Sequence, residues 1–253
     1  GHGSGEGHLC LVTGDGDLYC MGADEVLDLS PLTHGTRVPL RIAGLGPVED
    51  VALSLRATCA IIAGKVLCFG LNSSRQLGQP ASAVASAMPL EVPGVDEAIE
   101  IDAHEARTCV LDRWGAVTCW GISLLTVTPT SAEPAKVRFP RPIEHIAVGT
   151  DALCGIAGGE VWCQGLRPAL GYTGSQCSQN IGVPPTTDPL PLDLPPPIRG
   201  HVAEVTLGEF GGCARSDDGA VYCWGCNSDG SVGTGAKRDG ELLLPTRVEV
   251  PPM

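Results

Sequence analysis

Aromatic residues, helical segments and long apolar runs are all scarce in this chain of 253 residues. Phe, Trp and Tyr together make up 4% of it, and no segment shows a convincing helical period. There is no apolar run of about 18 residues, the length that a membrane-spanning helix needs, and no signal peptide is evident. With 34 glycines and 21 prolines, the composition favours an all-β fold of short strands and tight turns.

Basic residues are also few. The chain has 16 Lys and Arg against 29 Asp and Glu, which gives a net charge of −13 and a pI near 4.7. A nucleic-acid-binding protein should carry a basic surface, and no basic cluster is present. We therefore expect no nucleic-acid partner, whereas an acidic surface would attract basic proteins.

Sequence motifs of catalysis are missing. There is no G-x-S-x-G, P-loop or H-E-x-x-H motif, and the six histidines do not cluster. Four aspartates in two short loops suggest a calcium site: Asp15, Asp17, Asp217 and Asp218. We prefer to assign them to hairpin turns, which favour Asp for backbone reasons. The sequence thus predicts no catalytic residue, no cofactor, no metal site and no enzymatic activity.

Cysteine, by contrast, is abundant and regularly spaced. Ten of the twelve cysteines form five pairs with internal spacings of 9 or 10: Cys10/Cys20, Cys59/Cys68, Cys109/Cys119, Cys154/Cys163 and Cys213/Cys223. The pairs recur at intervals of 45 to 59 residues. A fixed period of this size indicates a stack of similar structural units.

The spacing within each pair fits a disulfide bridge across a β-hairpin. The centre of each pair is a two- or three-residue loop whose last residue is glycine: Gly16, Gly64, Gly115, Gly159 and Gly219. Glycine suits this position because the common hairpin turns need positive φ there. The same register places both cysteines in a non-hydrogen-bonded pair, where Cα atoms about 4.5 Å apart permit a disulfide.

The segments around each hairpin repeat as well. Apolar residues with period two, such as Val51 and Leu53, precede the first cysteine and predict a half-buried strand. An apolar or aromatic residue and a glycine usually follow the second cysteine, and then come a polar turn and a proline-flanked apolar stretch. Each unit is therefore predicted to have four strands, the composition of a propeller blade.

Two segments carry a more specific resemblance: CARSDDGAVYCWGCNSDGSVG (residues 213–233) and CAIIAGKVLCFGLNSSRQLG (residues 59–78). Their cysteine, hairpin, CWG-like and N…LG-like pattern resembles the regulator of chromosome condensation repeat. The cysteine-rich version is similar to bacterial members of that family. His8 stands at a position that the family often fills with histidine.

The resemblance implies a β-propeller. We count about five four-stranded blades with disulfide-bridged hairpins and expect a single domain over residues 1–253. The approximate repeats are residues 1–46, 47–95, 96–142, 143–201 and 202–253. Little sequence precedes Cys10, so the first blade should lack its inner strand or have a very short one. Because residue 1 is glycine, we expect a processed chain with plausible upstream sequence, and we favour a closed ring.

The two remaining cysteines lie outside the repeat. A disulfide between Cys177 and Cys226 is the simplest account of both. Cys223 and Cys226 also have the C-x-x-C spacing of redox centres, but that chemistry uses a helix N-terminus, which is not predicted here. Twelve cysteines in a register that suits bridging favour an oxidising compartment, hence an extracellular, cell-surface or periplasmic location.

The proline-rich stretch at residues 183–197 has two interpretations. It is either an exposed polyproline ligand or, as we prefer, an outer strand on a long loop, because it fills the place of PLEVPG at residues 89–94.

Three functions are compatible with these features. We favour a non-catalytic, secreted or surface-displayed propeller, a monomer that binds a protein partner, with Trp114 and Tyr172 as candidate contact residues. The alternatives are a guanine-nucleotide exchange factor for a small GTPase, which the resemblance implies, and an enzyme with a site in the central channel.

Overall fold

The computed structural model divides the chain into two compact units, Gly1–Val137 and Arg138–Met253. It describes residues 8–22, 36–79, 85–121, 133–150, 152–165, 186–195, 198–208, 211–227, 230, 232–233 and 242–248. All the secondary-structure elements within these ranges are β-strands. Every strand pairing is antiparallel.

The first unit contains three sheets. The first sheet has three described strands: β1 (His8–Val12), β2 (Leu18–Gly22) and β3 (Thr36–Arg41). The second has four: β4 (Asp50–Ser54), β5 (Ala57–Ile62), β6 (Lys65–Leu71) and β7 (Ala85–Glu91). The third also has four: β8 (Ala98–His104), β9 (Arg107–Asp112), β10 (Val117–Trp120) and β11 (Ala135–Val137).

The second unit contains two four-stranded sheets. The fourth sheet consists of β12 (His145–Val148), β13 (Ala152–Ala157), β14 (Glu160–Gly165) and β15 (Thr186–Pro191). The fifth consists of β16 (Val202–Leu207), β17 (Gly211–Ser216), β18 (Val221–Cys226) and β19 (Leu242–Arg247). In all four complete sheets the strands follow chain order from one edge to the other, as the sequence repeats predicted.

The paired cysteines lie directly opposite each other on the two hairpin strands of every sheet. All five predicted pairs are disulfide-bonded: Cys10–Cys20, Cys59–Cys68, Cys109–Cys119, Cys154–Cys163 and Cys213–Cys223. Their Cα atoms are 4.0 to 4.1 Å apart, somewhat closer than the distance of about 4.5 Å expected for such a pair. The glycine that ends each hairpin loop has a φ between +73° and +88°. The hairpin register and the backbone reason for the glycines are therefore those that the spacing predicted.

The second cysteines of the pairs differ in their exposure to solvent. Cys20 is fully buried, and Cys163 is 2% exposed. Cys119 is partly exposed, on a strand of only four residues that pairs with the three-residue outer strand β11. Cys20 and Cys163 also belong to the apolar clusters between neighbouring sheets. These two bridges therefore contribute apolar packing as well as a covalent link.

In four of the five sheets a second glycine, two residues after the second cysteine, has a different role. The pairing of the third strand with the outer strand shifts register between the second cysteine and the glycine two residues later, as between Cys68 and Gly70. The same bulge occurs in the first, fourth and fifth sheets. Gly70 has a φ of +113°, and a Cβ atom there would lie 2.5 Å from the carbonyl oxygen of Arg56. This glycine therefore bends the end of the strand before the chain turns.

Large side chains pack between neighbouring sheets inside each unit. Phe69 belongs to the cluster formed by the first and second sheets, and Trp120 to that of the second and third. Trp224 packs between the fourth and fifth. All three are at most 2% exposed, and burial of a side chain of this size contributes about 1.5–3 kcal/mol. Trp120 and Trp224 are therefore packing residues.

Each sheet has two opposite ends, which we name by their connections. The hairpin end carries the turn between the two cysteine-bearing strands, at residues 63–64 in the second sheet and 113–116 in the third. The exit end carries the turn after the third strand, at residues 72–79, and the short β4–β5 and β8–β9 turns. Polar turns dominate both ends, so either can meet a partner.

Candidate functional site

The exit turn at residues 72–79 is held by an extensive set of hydrogen bonds. Its scaffold is Asn72, which is 3% exposed. The Asn72 carbonyl oxygen accepts a hydrogen bond from the Arg75 amide at 3.0 Å, and its Oδ1 accepts one from the Leu77 amide at 3.0 Å. The Gly78 amide then donates to the Arg75 carbonyl oxygen at 3.1 Å. The buried Asn72 side chain and two backbone hydrogen bonds together fix the path of the turn.

Gln76 fastens this turn to its surroundings. Its Oε1 accepts a hydrogen bond from the Ser74 amide at 2.8 Å, and its Nε2 donates to the Leu55 carbonyl oxygen in the β4–β5 turn at 3.0 Å. Its own carbonyl oxygen accepts the indole N–H of Trp120 in the third sheet at 2.9 Å. Gln76 is 1% exposed, so these bonds are shielded from water and hold the turn tip rigidly.

The fifth sheet repeats this arrangement at residues 227–233. Asn227 is fully buried, and its Oδ1 accepts a hydrogen bond from the Val232 amide at 3.2 Å. The Gly230 amide donates to the Asn227 carbonyl oxygen at 3.2 Å, and the Gly233 amide to the Gly230 carbonyl oxygen at 3.0 Å. Gly230 therefore holds the place that Arg75 holds in the second sheet. The two N…G turns are visible in the sequence. That Asn72, Gln76 and Asn227 are buried and hold these turns by side-chain hydrogen bonds is visible only in the structure.

Trp114 lies at the hairpin end of the third sheet. Its side chain is 66% exposed, although its backbone is fixed. The Asp112 Oδ1 accepts hydrogen bonds from the amides of Trp114 and Ala116, both at 2.9 Å, and Arg113 forms an ion pair with Glu97 at 2.5 Å. Trp114 therefore presents its indole to solvent from a fixed turn, at the end opposite the exit turns.

Other predicted site residues are dispersed. Tyr172 and Cys177 lie outside the described residues. Cys226 is disulfide-bonded, and Cys223 is bonded to Cys213, so the C-x-x-C spacing is not that of a dithiol pair. The pairing of Cys177 with Cys226 stays a prediction. No group of three or more His, Cys, Asp or Glu side chains is close enough to hold a metal ion within the ranges given above.

The aspartates of the hairpin loops serve local contacts. The Arg41 guanidinium donates a hydrogen bond to Asp17 at 2.6 Å, and this bond lowers the pKa of the Asp17 carboxyl. The Ser216 hydroxyl donates to Asp218 and is the main cause of the lowered pKa of that carboxyl. Asp218 therefore bonds within its own turn, whereas Asp17 pairs with an arginine of the outer strand β3.

Histidines are spread over separate places. His8 is 6% exposed, and its Nε2 lies 3.3 Å from the Thr58 hydroxyl of the second sheet; burial lowers its pKa. His104 and His145 lie in inner strands β8 and β12. His145 is exposed and His104 partly exposed. The structure therefore brings no histidines together into a reactive group within its described part.

The proline-rich stretch forms an outer strand. β15 covers Thr186–Pro191, and the residues that follow return to the core, where Leu192 and Leu194 are buried. Beside them lies a cleft of about 340 Å³. Its rim carries Arg199, which pairs with Asp193 at 2.6 Å. This confirms the outer-strand interpretation and shows that the segment is held against the fourth sheet.

Comparison with known proteins assigns the repeats. Two models described as regulator of chromosome condensation (RCC1) repeat match residues 218–253 and 202–231. Residues 202–253 therefore match the RCC1 repeat. The mouse regulator of chromosome condensation is 28% identical over 160 residues, which are 57% of this chain and 35% of the mouse protein.

Solved structures show the same RCC1-like propeller fold. Human WBSCR16 matches 97% of this chain with a TM-score of 0.80 and 18% identity, and the match covers 65% of that protein. The yeast RCC1 (Prp20) bound to Kap60 matches 97% with a TM-score of 0.77 and 16% identity, covering 60%. A further Saccharomyces cerevisiae Prp20p structure matches 97% of this chain with a TM-score of 0.79 and 16% identity, and the match covers 62% of that protein. The all-β propeller assignment is confirmed, and the chain spans about a third of its curated relative.

These similarities correct one prediction. The sequence predicted that the protein is not an enzyme. The matched RCC1 proteins contradict this, because nucleotide exchange on a small GTPase, the activity that the resemblance implies, is a catalysed reaction. The absence of hydrolase or kinase motifs could not exclude it, since an exchange factor acts by binding another protein.

The remaining predictions have mixed outcomes. No helix among the described residues is long and apolar enough to cross a membrane. The five disulfides are compatible with an extracellular location. The single-domain assignment with its repeat boundaries, the monomeric state and the contact roles of Trp114 and Tyr172 stay predictions.

Proposed function

We propose that this chain is a protein-binding RCC1-repeat propeller that recognises its partner through the turns at the ends of its sheets. The observation that carries this proposal is the exit turn at residues 72–79, whose tip is held by the buried side chains of Asn72 and Gln76. A turn that is rigid before binding loses little conformational entropy when a partner docks. The yeast relatives bind proteins, as the complex of Prp20 with Kap60 illustrates.

Trp114 is the second docking element that we propose. An exposed tryptophan on a fixed turn is typical of residues that contribute most of the energy of a protein interface. Because Trp114 lies at the hairpin end, it and the exit turn define two separate surfaces. We also propose Tyr172 as a contact residue, because it lies in the longest interval between repeats.

The compartment and assembly are part of the proposal. Disulfides persist in oxidising environments, which supports a secreted, surface-displayed or periplasmic location. The monomeric state is part of the proposal. A net charge of −13 opposes nucleic-acid binding and supports a protein as the partner.

A comparison of three baits tests the proposal. The disulfide-intact chain, a Ser73→Trp variant that blocks the exit turn and a Trp114→Ala variant are immobilised after their folding has been verified by circular dichroism. We expect a protein from the extracellular or periplasmic fraction to bind the parent chain at least about tenfold better than one of the two variants. The interaction must persist with the purified partner. Equal retention of every protein on all three baits would overturn the proposal.

Guanine-nucleotide exchange on a small GTPase is the second candidate. It is favoured by the similarity to the mouse regulator of chromosome condensation and by the yeast relative whose binding to Gsp1p has been described. The test is the release of a fluorescent GDP analogue from purified Gsp1p. Acceleration of about tenfold or more over spontaneous release would support this candidate, and release at the spontaneous rate would leave Gsp1p unsupported as its substrate.

A further inference from the structure

Neighbouring sheets within each unit pack by one rule. Successive side chains of a strand point to opposite sides of its sheet, so each sheet has a cystine face, on which its disulfide lies, and an opposite face. The disulfide of the first sheet packs against Ala60 and Phe69 on the opposite face of the second. That of the second sheet packs in the same way against Trp120 of the third, and that of the fourth against Trp224 of the fifth.

The opposite face of the first sheet is an uncovered apolar patch. Leu9 and Leu11 of β1 are 49% and 42% exposed, and their cross-strand partners Met21 and Tyr19 are partly exposed. The residues that correspond to the two leucines in the next three sheets are all buried: Thr58, Ala60, Thr108, Val110, Leu153 and Gly155. A contiguous exposed apolar patch marks a surface that binds another protein.

The cystine face of the fifth sheet is open as well. Cys213 and Val221 are partly exposed, and Arg215, which lies opposite Val221, is exposed. The corresponding residues of the second, third and fourth sheets are buried: Cys59, Ile61, Val66, Cys109, Leu111, Val117, Cys154, Ile156 and Val161. The first and fifth sheets thus present one exposed face of each kind.

We propose that the opposite face of the first sheet in one copy of this chain binds the cystine face of the fifth sheet in a second copy. The contact repeats the rule by which the sheets pack inside each unit, so each exposed face meets the kind of surface that covers its equivalents. Such a head-to-tail contact is heterologous and can add further copies. The inference is independent of the protein-binding function, and the monomer proposed above is then the dilute state of the chain.

The size of the two faces makes this contact weak and reversible. Each face offers only a few exposed side chains, whereas a stable interface of standard size uses about 20–30 residues on each partner. Two copies with a net charge of −13 also repel each other. The charges beside the faces are balanced, however, because Asp17 is paired with Arg41 and Glu204 with Arg215.

Salt should therefore strengthen the association. Added ions screen the repulsion between two acidic copies and leave the apolar contact in place. We expect tighter self-association at about 0.5 M than at about 0.05 M sodium chloride. A contact held by ion pairs would respond in the opposite direction, and that result would overturn the proposed apolar contact.

Sedimentation equilibrium of the disulfide-intact chain, from about 5 µM to about 500 µM, tests the proposal. The average mass of the parent should rise with concentration above the 26.1 kDa of one chain. Leu9→Lys and Val221→Lys should each weaken association about tenfold or more, because each puts a charge on one of the two faces. Met88→Lys is the matched control, since Met88 is 68% exposed on the outer strand β7 and its variant should associate as the parent does.

A mixture of the two variants tests the head-to-tail geometry. The Leu9→Lys chain keeps an intact cystine face and the Val221→Lys chain keeps an intact opposite face, so the mixture should regain association and stop at a dimer. Circular dichroism and the thermal midpoint verify folding, and Leu11→Lys blocks the same face if Leu9→Lys does not fold. A parent that stays at the mass of one chain, unchanged association in a folded leucine variant, or a mixture that does not associate would overturn the proposal. The three-bait comparison decides the protein-binding function separately.

Discussion

Two threonines at equivalent places in consecutive sheets differ in what their hydroxyls meet. Thr58 Oγ1 lies 3.3 Å from His8 Nε2. Thr108 Oγ1 is buried and has no hydrogen-bond partner in the described structure, because Ala57 occupies in the second sheet the place that His8 occupies in the first. A buried polar group without a partner costs about 1–3 kcal/mol.

Replacing each threonine by valine should therefore have opposite effects. Thr108→Val removes an unsatisfied hydroxyl at constant shape, so we expect the free energy of unfolding to stay the same or rise by about 1 kcal/mol. Thr58→Val should lower it by about 1–2 kcal/mol, because it leaves the histidine nitrogen unpaired. Urea denaturation of both variants measures the difference. Equal destabilisation by the two substitutions would show that Thr108 has a partner.

His8 links stability to pH. Burial lowers its pKa below the ordinary value of 6.5, so the unfolded chain binds a proton more readily than the folded one. The contribution of a neutral His8 is complete above pH 6.5 and is lost as the pH falls through 6.5 toward the folded-state pKa. We expect His8→Gln to lose less stability than the parent between about pH 7.5 and about pH 5.5 in urea titrations. Parallel losses would contradict this assignment.

At the scale of the element, the hairpin turn of the second sheet carries avoidable strain. Ala63 has a φ of +50°, whereas Gly158 holds the same place in the fourth sheet with a φ of +58°. A two-residue turn with positive φ at both positions favours Asn or Gly at the first.

Ala63→Gly should therefore raise the free energy of unfolding by about 0.5–1 kcal/mol, net of the extra freedom of the unfolded chain. Ala60→Gly in the adjacent strand β5 is the control. Ala60 is fully buried, so its replacement should destabilise by about 1 kcal/mol or more. Chemical denaturation of both variants decides the matter, and destabilisation by Ala63→Gly would refute the strain argument.

The elements show what could be predicted from the sequence and what could not. The hairpins were predictable because a cysteine pair and a loop glycine must agree on one register, as Cys59, Cys68 and Gly64 do. The bulge at Gly70 was not, since a glycine that bends a strand and one that begins a turn give the same pattern. The role of Gln76 depends on Leu55 and Trp120, which are distant in sequence, so only the packed sheets reveal it.

At the scale of the whole molecule, the five disulfides between paired cysteines stabilise individual sheets rather than joining them. Each closes a loop of 9 or 10 residues within one hairpin. Neighbouring sheets in a unit are held by apolar packing and by bonds such as that from the Ile101 amide to Asp50 at 3.1 Å. Loss of one bridge should weaken folding without changing the order of the sheets.

The double variant Cys59→Ser/Cys68→Ser tests this division of roles. We expect it to lower the free energy of unfolding by about 2–3 kcal/mol while the far-ultraviolet circular dichroism of the folded protein stays unchanged. Loss of the β-sheet signal under native conditions would show that the bridge is required for the fold itself.

Mapping the disulfides of native material tests the proposed compartment. After alkylation without reductant, we expect no labelled cysteine among the ten hairpin positions, five peptides linked within hairpins, and Cys226 in a further linked peptide. Because the cytosol keeps thiols reduced, this pattern would place the folded protein in an oxidising environment. Full alkylation of protected native material would contradict that location and favour an intracellular partner, for which the GTPase assay is then the decisive experiment.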